Sequence, residues 1–464
     1  MSLTTVRHHQ PLGMTLAKVD SPEKALARKL LWAYFFLLLF EGALRKWFMA
    51  GLSTPLLVIR DPFLLGILVL AYNGNFFPNN KFVRRLYGLG LAFSFASFFG
   101  AYFNVFTILY GLRTNCLHFM LIFVIPKLFN HRDVILVGKW FFVCAIPISV
   151  VVANQFVAAP EDTINTVAGG KGAQMMSSGG KVRASGTFSF VSGIMYYYAF
   201  IAAYVIHGFL HRKTFHILLI ISATICCMLV MVTAASRSVV GAVAQVMACL
   251  GFLALYRPQL YSRMFSLLAV VSILLFFLAK MELFQEGMDI LSLRFDEASG
   301  MGTGAGPIQE YFIRNYEIIK APFTASFQAP LLGYGLGAGT NAGGGLAGLG
   351  RLGMGESEWQ RNIYESGPII GNLFIFWRIG LFIAILKVAL KSLETAGNPL
   401  PILLFGAAGP LVLMGQIGQP TTLGFTAFGA GLCLAASRTN QYGRRKASLQ
   451  SAASKASSFP SNQT

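Results

Sequence analysis

Charged residues are scarce in this sequence, and that scarcity excludes a soluble globular protein. Only 12% of the 464 residues are charged and 55% are hydrophobic, whereas charged residues make up about a quarter of a soluble domain. The mean hydropathy is +0.61. Apolar runs of roughly 18 to 25 residues recur along the chain and match the length of a helix that spans a bilayer. The sequence therefore predicts an all-α, polytopic membrane protein.

The sequence predicts neither a cleavable signal peptide nor a cysteine framework. Residues 1–29 are polar and basic, and the first apolar run begins at Leu30 without a small-residue cleavage site. All six cysteines fall inside apolar runs, where we expect buried, inert thiols rather than a metal or redox site. We accordingly expect neither a bound metal nor a cofactor.

Basic residues outnumber acids by 37 to 18, and their placement predicts the topology. Lys and Arg concentrate in alternate connections, such as Lys81, Arg84 and Arg85, as expected for cytoplasmic loops. The net charge of +19 is therefore a topology signal and not a nucleic-acid footprint. With both termini in the cytoplasm, about twelve spans are predicted. They cover residues 30–49, 55–73, 86–108, 112–129, 134–157, 189–210, 215–235, 238–256, 264–282, 367–390, 399–416 and 420–437.

This topology divides the chain into membrane and polar parts. Two long segments lie outside, a smaller loop over 158–189 and a large one between helices nine and ten. Neither resembles an independent domain, so both are expected to fold back onto the outer ends of the helices. The parts are a cytoplasmic tail (1–29), helices one to nine (30–282), the large periplasmic loop with short helices (283–366), helices ten to twelve (367–437) and a disordered cytoplasmic tail (438–464).

The stretch 282–371 is the most polar part of the chain, with ten of its eighteen acids and four of its arginines. Pro307 is well placed to begin a helix, and Glu310, Arg314 and Glu317 then share one face of it. Interleaved acids and arginines at helical spacing favour a functional loop over a disordered one.

A second polar helix is predicted just before the tenth span. Over 356–366, the same spacing places Glu358, Arg361, Asn362 and Glu365 on one face. The glycine-rich run before it, over 331–355, is predicted to hold no regular element. Glycine permits tight turns and a close approach of backbone to a ligand. A flexible lid or linker and a phosphate cradle are both compatible with this run, although it lacks a Walker lysine and does not follow a strand.

Histidine is absent from the predicted external loops, whereas arginine is frequent there. All seven histidines lie in the N-terminal tail, in span four or near cytoplasmic ends, so carboxylates would perform any proton transfer at an outward-facing site. Arginine binds phosphate oxygens in pairs, so the external set indicates a phosphate-bearing ligand, with structural salt bridges as the alternative. The external arginines are Arg45, Arg113, Arg183, Arg237, Arg294, Arg314, Arg351, Arg361 and Arg378.

Charged residues also lie within the first two spans. Glu41 and Arg45 are spaced for pairing at i and i+4, and Arg60 and Asp61 lie below the outer surface of the next helix. Charges at membrane depth are costly and are normally paired or functional. We interpret these four as a structural ion-pair lock, with a substrate role as the alternative.

Four motifs resemble the O-antigen ligase/polymerase superfamily of bacterial envelope glycosyltransferases. The order and spacing of the motifs, together with the large external loop between the ninth and tenth spans, carry the resemblance. The motifs are RASGTFSF from Arg183, TAASRSVVG around Arg237, RNYEIIKAPFTASFQAPLLGYGLG from Arg314, and ESEWQRNIYESGPIIG from Glu356.

The resemblance implies a GT-C-like fold that acts on undecaprenyl-pyrophosphate-linked glycans at the outer face of the inner membrane, without a metal or a nucleotide sugar. Arg183, Arg237 and Arg314 match the arginines that hold the pyrophosphate, and Arg361 is a further candidate ligand. Where ligases of the family carry a histidine before the tenth span, this chain has Glu356, Ser357 and Glu358. That departure favours a polymerase over a ligase.

We therefore expect a metal-independent glycosyltransferase that transfers a growing O-antigen or exopolysaccharide chain to the next lipid-linked repeat unit. Glu358 is the first candidate for the general base, followed by Glu365 and Glu356. The alternatives are a ligase that uses another acceptor and a flippase or exporter of lipid-linked sugars. Expected partners are the lipid-linked glycan, membrane lipid, and assembly proteins such as a chain-length regulator or a flippase, but no nucleic acid.

Overall fold

The computed structural model describes residues 21–457, apart from residues 102, 171, 302–306 and 347–356. In this part of the chain the secondary structure is helical, with two isolated β-bridges in the segment between Thr166 and Val182. The α-helices are α1 Pro22–Ala43, α2 Asp61–Asn73, α3 Lys81–Phe98, α4 Val105–Leu112, α5 His118–Leu128, α6 His131–Val157, α7 Val191–Leu210, α8 Ile217–Thr233, α9 Arg237–Tyr256, α10 Tyr261–Leu278, α11 Glu282–Met301, α12 Pro307–Gln328, α13 Asn341–Leu346, α14 Glu358–Ala396, α15 Leu400–Met414 and α16 Pro420–Ser457.

Polar caps define where several helices begin. The Asn80 side chain accepts hydrogen bonds from the first amides of α3, and Asn130 forms a reciprocal capping box with Asp133 at the start of α6. Asn104 caps α4 in the same way, which interrupts the span predicted over 86–108. The described part of α12 starts at Pro307, in agreement with proline's preference for the first turn of a helix.

Seven of the described helical segments are long and apolar enough to cross a membrane. Two shorter apolar helices, α8 and α15, accompany them. The all-helical, polytopic class is therefore confirmed, while the number of about twelve spans remains a prediction. The seven segments are Pro55–Asn73, Val105–Leu128, His131–Val157, Val191–Leu210, Arg237–Tyr256, Pro258–Leu278 and Glu358–Ala396.

The α7 helix is the centre of the bundle, and α10 lies at its edge. In the most apolar window of α7, 94% of the residues are buried inside the protein, whereas the figure for the α10 segment is 6%. Aromatic rings pack around the centre: Phe141 of α6 stacks on Phe200 of α7 at 5.7 Å, and Phe35 of α1 stacks on Phe428 of α16 at 5.2 Å. An apolar helix with this much exposed surface is suited to contact with lipid.

The two ends of the bundle differ in chemistry. At one end, which we call the basic end, arginines donate to the last carbonyls of neighbouring helices. Arg28 reaches Leu128, Arg257 reaches Leu393, Arg263 reaches Leu210 and Arg438 reaches Pro126. At the other end, which we call the loop-rich end, residues 44–60, 158–190, 331–340, 357–367 and 415–420 meet.

The α14 helix reverses its direction at Gly367. This residue has φ 78° and ψ 166°, a conformation that favours glycine, and it precedes Pro368. A Cβ on Gly371 would lie 2.7 Å from the Cα of Ile363, so the two arms of α14 pack side by side. The chain therefore re-enters the bundle along 358–366 before it turns back towards the basic end.

The glycine-rich run differs from its prediction in one respect. It holds the short helix α13, Asn341–Leu346, in which the Thr340 hydroxyl accepts a hydrogen bond from the Gly343 amide. The sequence prediction of no regular element was therefore wrong there, because a threonine cap offsets part of glycine's low helix propensity. Residues 347–356 of the run lie outside the described residues.

Candidate functional site

A buried charge cluster lies between the arms of α14. We call Glu358, Arg361, Glu365 and Arg378 the α14 charge cluster. Arg361 donates to Glu358 through Nε at 3.2 Å and Nη2 at 2.6 Å, and its Nη1 lies 2.7 Å from Glu365 Oε2. Arg378, on the second arm, donates to Glu358 Oε1 at 3.3 Å. Two acids and two arginines thus balance each other inside the bundle.

The cluster also ties α14 to its surroundings through Arg378. This guanidinium is fully buried and donates to the carbonyls of Leu411, Val412 and Gly415 at 2.8 to 3.1 Å. These carbonyls lie at the C-terminal end of α15, where the Arg378 donors add to the backbone hydrogen bonds from Gly415 to Leu411 and from Ile417 to Gly415. Arg378 therefore closes the end of α15 and holds Glu358 at the same time.

Glu365 fixes the glycine-rich run against the re-entrant arm. Its Oε1 accepts a hydrogen bond from the Gly339 amide at 2.9 Å, and its backbone carbonyl accepts one from Gly335 at 3.0 Å. A Cβ on Gly333 would lie 2.4 Å from that same carbonyl, so the close approach needs glycine. Glu365 thereby holds the backbone of residues 333–340 in place through hydrogen bonds.

The position of Glu358 bears on its predicted role as a general base. Its Oε1 accepts from Arg361 and from Arg378, and its Oε2 accepts from Arg361. A base must present a carboxylate oxygen to the proton it removes. These three hydrogen bonds occupy three of the roughly four lone-pair positions of the carboxylate, so Oε2 offers the remaining position for a proton.

The charges of the first two spans pair across elements. Glu41 accepts from Arg60 at 2.8 Å and lies 3.5 Å from Arg45, while Asp61 pairs with Arg113. His118 Nε2 lies 3.5 Å from Asp61 as well. The sequence spacing of Glu41 and Arg45 indicated their pairing, but no sequence pattern connected Asp61 to Arg113 and His118. Both partners lie within an apolar run, where sequence spacing gives no sign of a contact with α2.

A recess of about 70 Å³ opens at the loop-rich end, beside the start of α7. Its lining includes Gln174, Arg183, Ser185 and Ser189 on the polar side. Val167, Met175, Phe190 and Val191 form the apolar side.

Two further cations stand behind the recess. Arg45 Nη1 donates to the Ser189 hydroxyl at 3.0 Å, and Lys46 Nζ donates to the Ser185 hydroxyl. Lys46 is only 2% exposed, and in the described part of the chain no carboxylate pairs with it. Arg45 is also 3.5 Å from Glu41, so Lys46 is the cation behind the recess that no described carboxylate matches.

The α15–α16 connection joins the recess to the α14 charge cluster. Its Gln419 accepts a hydrogen bond from Ser192 of α7 at 3.2 Å, and Gly415 accepts from Arg378. Arg60 donates to Pro420, so the ion pairs of the first two spans reach the same connection. The three polar groups are thus neighbours at the loop-rich end.

The other predicted site residues are distributed over this end. Arg237 begins α9 next to α11, where Ser178 and the guanidinium groups of Arg294 and Arg237 hold the pKa of the exposed Glu297 carboxyl below its usual range. Arg314 belongs to α12, but its side chain is outside the described part, as is all of Glu356. The structure thus brings Glu358, Arg361 and Glu365 together and places Arg183 at the recess.

Among the described residues, no group of three or more His, Cys, Asp or Glu side chains is arranged to hold a metal ion. The chain matches no family model, no curated protein and no solved structure.

Proposed function

We propose that the protein is a membrane polysaccharide polymerase. It would transfer an O-antigen or exopolysaccharide chain from an undecaprenyl-pyrophosphate carrier to a hydroxyl of the next lipid-linked repeat unit. The observation that carries the proposal is the cation-rich recess at one end of an apolar helix bundle. A pyrophosphate on a long prenyl chain presents its charge at this boundary between lipid and water, where arginine and lysine side chains meet it.

Each predicted residue has a role in this proposal. Arg183, Arg237 and Arg314 would stabilise the departing pyrophosphate, since charge develops on its oxygens as the glycosidic bond to the carrier breaks. Arg361 would orient the carboxylates, and Glu358 would take the proton of the acceptor hydroxyl, with Glu365 or Glu356 as substitutes. A glutamate ordinarily titrates near ~4.3, so a base in this site needs its surroundings to favour the protonated form.

The finer features of the fold belong to the same proposal. Helices α1, α3 and α16 run between the two ends of the bundle alongside the seven apolar segments, which supports about twelve spans in a GT-C-like arrangement. The arginines of the basic end agree with the positive-inside rule. The protein would then lie in a bacterial inner membrane with both termini in the cytoplasm and the loop-rich end in the periplasm.

The proposal is tested by the glycans of a deletion strain. We expect lipid carriers with single repeat units to accumulate and long chains to disappear. Arg183→Lys keeps the charge but loses the bidentate fork, so it should fail to restore long chains at normal membrane levels. The exposed Arg85 on α3 provides the matched control, because Arg85→Lys should restore them fully.

Other glycan profiles would point to the alternatives. Accumulation of long lipid-linked chains would identify a ligase, and accumulation of repeat units on the cytoplasmic leaflet would identify a flippase. An unchanged profile after deletion would refute all three envelope-glycan functions.

A further inference from the structure

The recess contains a hydrogen-bond donor that has no acceptor. Gln174 is 6% exposed, and its Oε1 accepts hydrogen bonds from the amide of Ser185 at 3.1 Å and from the Ser185 hydroxyl at 2.8 Å. A backbone N–H can only donate, so it fixes which end of the Gln174 amide is oxygen. The other end, Nε2, is buried and has no hydrogen-bond partner among the described residues.

An unpaired buried N–H₂ group is unfavourable, because burial removes it from water and no hydrogen bond replaces the lost hydration. Contacts around Gln174 hold this group in place. The backbone N–H of Gln174 donates to the Asn165 carbonyl, and the Asn165 side chain donates to the Gln155 carbonyl at 3.1 Å. The Gly186 amide donates to Gln155 Oε1 at 2.8 Å. Gln174 is therefore held in a rigid wall, and its free donor is a built feature of the recess.

The polar groups around Gln174 are also hydrogen-bond donors or cations. The Ser189 hydroxyl accepts from Arg45, which leaves its proton for a further acceptor. Arg183 contributes a guanidinium to the lining, and Lys46 adds a buried charge behind Ser185. None of the described lining residues carries a carboxylate. The recess thus offers donors and positive potential, and a ligand that fits it supplies acceptor oxygens and negative charge.

The size and the apolar rim narrow the ligand further. A water molecule needs a cavity of about 10 to 15 Å³. The recess, at about 70 Å³, therefore holds roughly five atoms of the size of oxygen. That is the size of one phosphate group and less than that of a sugar ring. Met175 and Phe190, which line the recess, expose 49% and 40% of their surface, as suits an attached hydrocarbon chain.

We infer that this recess binds the phosphate group of a lipid, with Gln174 Nε2, the Ser189 hydroxyl and Arg183 as donors and with Arg45 and Lys46 as supporting charges. The inference rests on the proposed function for one of its two possible ligands, the pyrophosphate of the prenyl carrier. The other source of the same chemistry is the head group of an ordinary anionic phospholipid.

Binding is tested with the purified full-length protein in phosphatidylcholine nanodiscs. The probes are a short-chain prenyl pyrophosphate, the corresponding prenyl alcohol, and discs doped with phosphatidylglycerol. We expect the wild type to bind the prenyl pyrophosphate and not the alcohol. If phosphatidylglycerol competes equally well, the recess is a general phospholipid site. If neither phosphate-bearing lipid binds, the inference is wrong.

Gln174→Glu is the decisive variant. It keeps the acceptor for Ser185 and replaces the free donor by a negatively charged acceptor, so affinity should fall about tenfold or more. Ser189→Ala removes one hydroxyl donor and should weaken binding about threefold to tenfold. Gln328→Glu adds the same charge at the exposed end of α12, where Gln328 Oε1 accepts from Tyr364, and should leave affinity unchanged.

The outcomes separate this inference from the proposed function. Undiminished binding by Gln174→Glu would overturn the recess as the site, whatever the glycan profile of the deletion strain. Binding that Gln174→Glu abolishes, together with an unchanged glycan profile after deletion, would uphold the recess and refute the polymerase. A loss of binding in Gln328→Glu equal to that in Gln174→Glu would reduce the effect to general charge and also overturn the inference.

Discussion

The α14 charge cluster and the recess lie at the same end of the protein, but their charges are arranged in opposite ways. In the α14 charge cluster, two acids face two arginines at 2.6 to 3.3 Å. Beside the recess, Lys46 bonds to the Ser185 hydroxyl and the Gly186 carbonyl instead. A balanced network is complete without a ligand, whereas an excess of cations with spare donors is completed by an anion.

This difference separates structural charge from binding charge. Burial of an ion pair is tolerated when each partner neutralises the other and the remaining hydrogen bonds are satisfied. Arg378 meets that condition through Glu358 and three carbonyls. Lys46 has hydrogen-bond acceptors in Ser185 and Gly186, but no described carboxylate neutralises its charge. We therefore expect the α14 charge cluster mainly to stabilise the fold and the recess mainly to bind a ligand.

Arg378→Met should produce the largest loss of stability. Removal of Arg378 from the buried cluster leaves Arg361 alone between two carboxylates and the Val412 carbonyl without its donor, which should lower the free energy of unfolding by about 3 to 5 kcal/mol. Unfolding of the purified protein in detergent measures the effect. Arg85→Met, on the exposed side of α3, is the control and should change little. Equal stability of the two variants would show that the cluster does not hold the fold.

Gly42→Ala should damage the recess from behind. A Cβ there would lie 2.3 Å from the Ser189 amide and 2.5 Å from the Thr187 carbonyl, so α1 and the wall carrying Ser189 must separate. Overpacking of this kind destabilises by about 1 to 3 kcal/mol. We expect weaker binding of a prenyl pyrophosphate together with a lower unfolding temperature.

The matched control for Gly42 is Gly88 on α3, where a Cβ meets nothing within 4 Å. Gly88→Ala should raise the unfolding free energy by about 0.5 to 1 kcal/mol, because alanine favours the helix. If Gly42→Ala binds the lipid as the wild type does, the wall at Ser189 does not shape the recess.

Glu365→Gln should loosen the glycine-rich run and leave the rest of the bundle intact. The carboxylate serves the Gly339 amide with one oxygen and Arg361 with the other, whereas an amide has a single acceptor oxygen and cannot serve both. Loss of one such bond amounts to about 1 to 2 kcal/mol. Hydrogen exchange at Gly339 should accelerate about tenfold, while exchange at Gly344, which bonds to Thr340, should not change.

The sequence predicted the kind of fold well, and the contacts of the site poorly. Apolar runs, Pro307 and the spacing of Glu358, Arg361 and Glu365 reflect local rules of helix formation, and the structure contains the corresponding helices. The reversal at Gly367 depends on packing between two arms, and no local pattern encodes it. The same holds for Lys46 and Ser185, which are 139 residues apart and meet only in the folded chain.

The recess shows the same limit in its polar groups. Gln174 carries no charge and lies in a segment of glycines and serines, so its sequence context suggests a surface loop. Its importance comes from an amide orientation that Ser185 imposes and from a donor left without a partner. Arginine enrichment directed the prediction to the loop-rich end, because charge is visible in the sequence. The neutral donors of the recess, Gln174 and Ser189, give no such signal in the sequence.

Glu286→Gln should have the smallest effect. Glu286 pairs with Lys181 at 2.7 Å, but both side chains are accessible to water, with 47% and 22% of their surfaces exposed. Exposed pairs contribute about 0 to 1 kcal/mol because water and salt screen them. The unfolding free energy should therefore change by less than about 1 kcal/mol, and less still at high salt. A loss of stability as large as that of Arg378→Met would mean that pairing, rather than burial, decides how much a charge contributes to stability. The distinction between the α14 charge cluster and the recess would then be wrong.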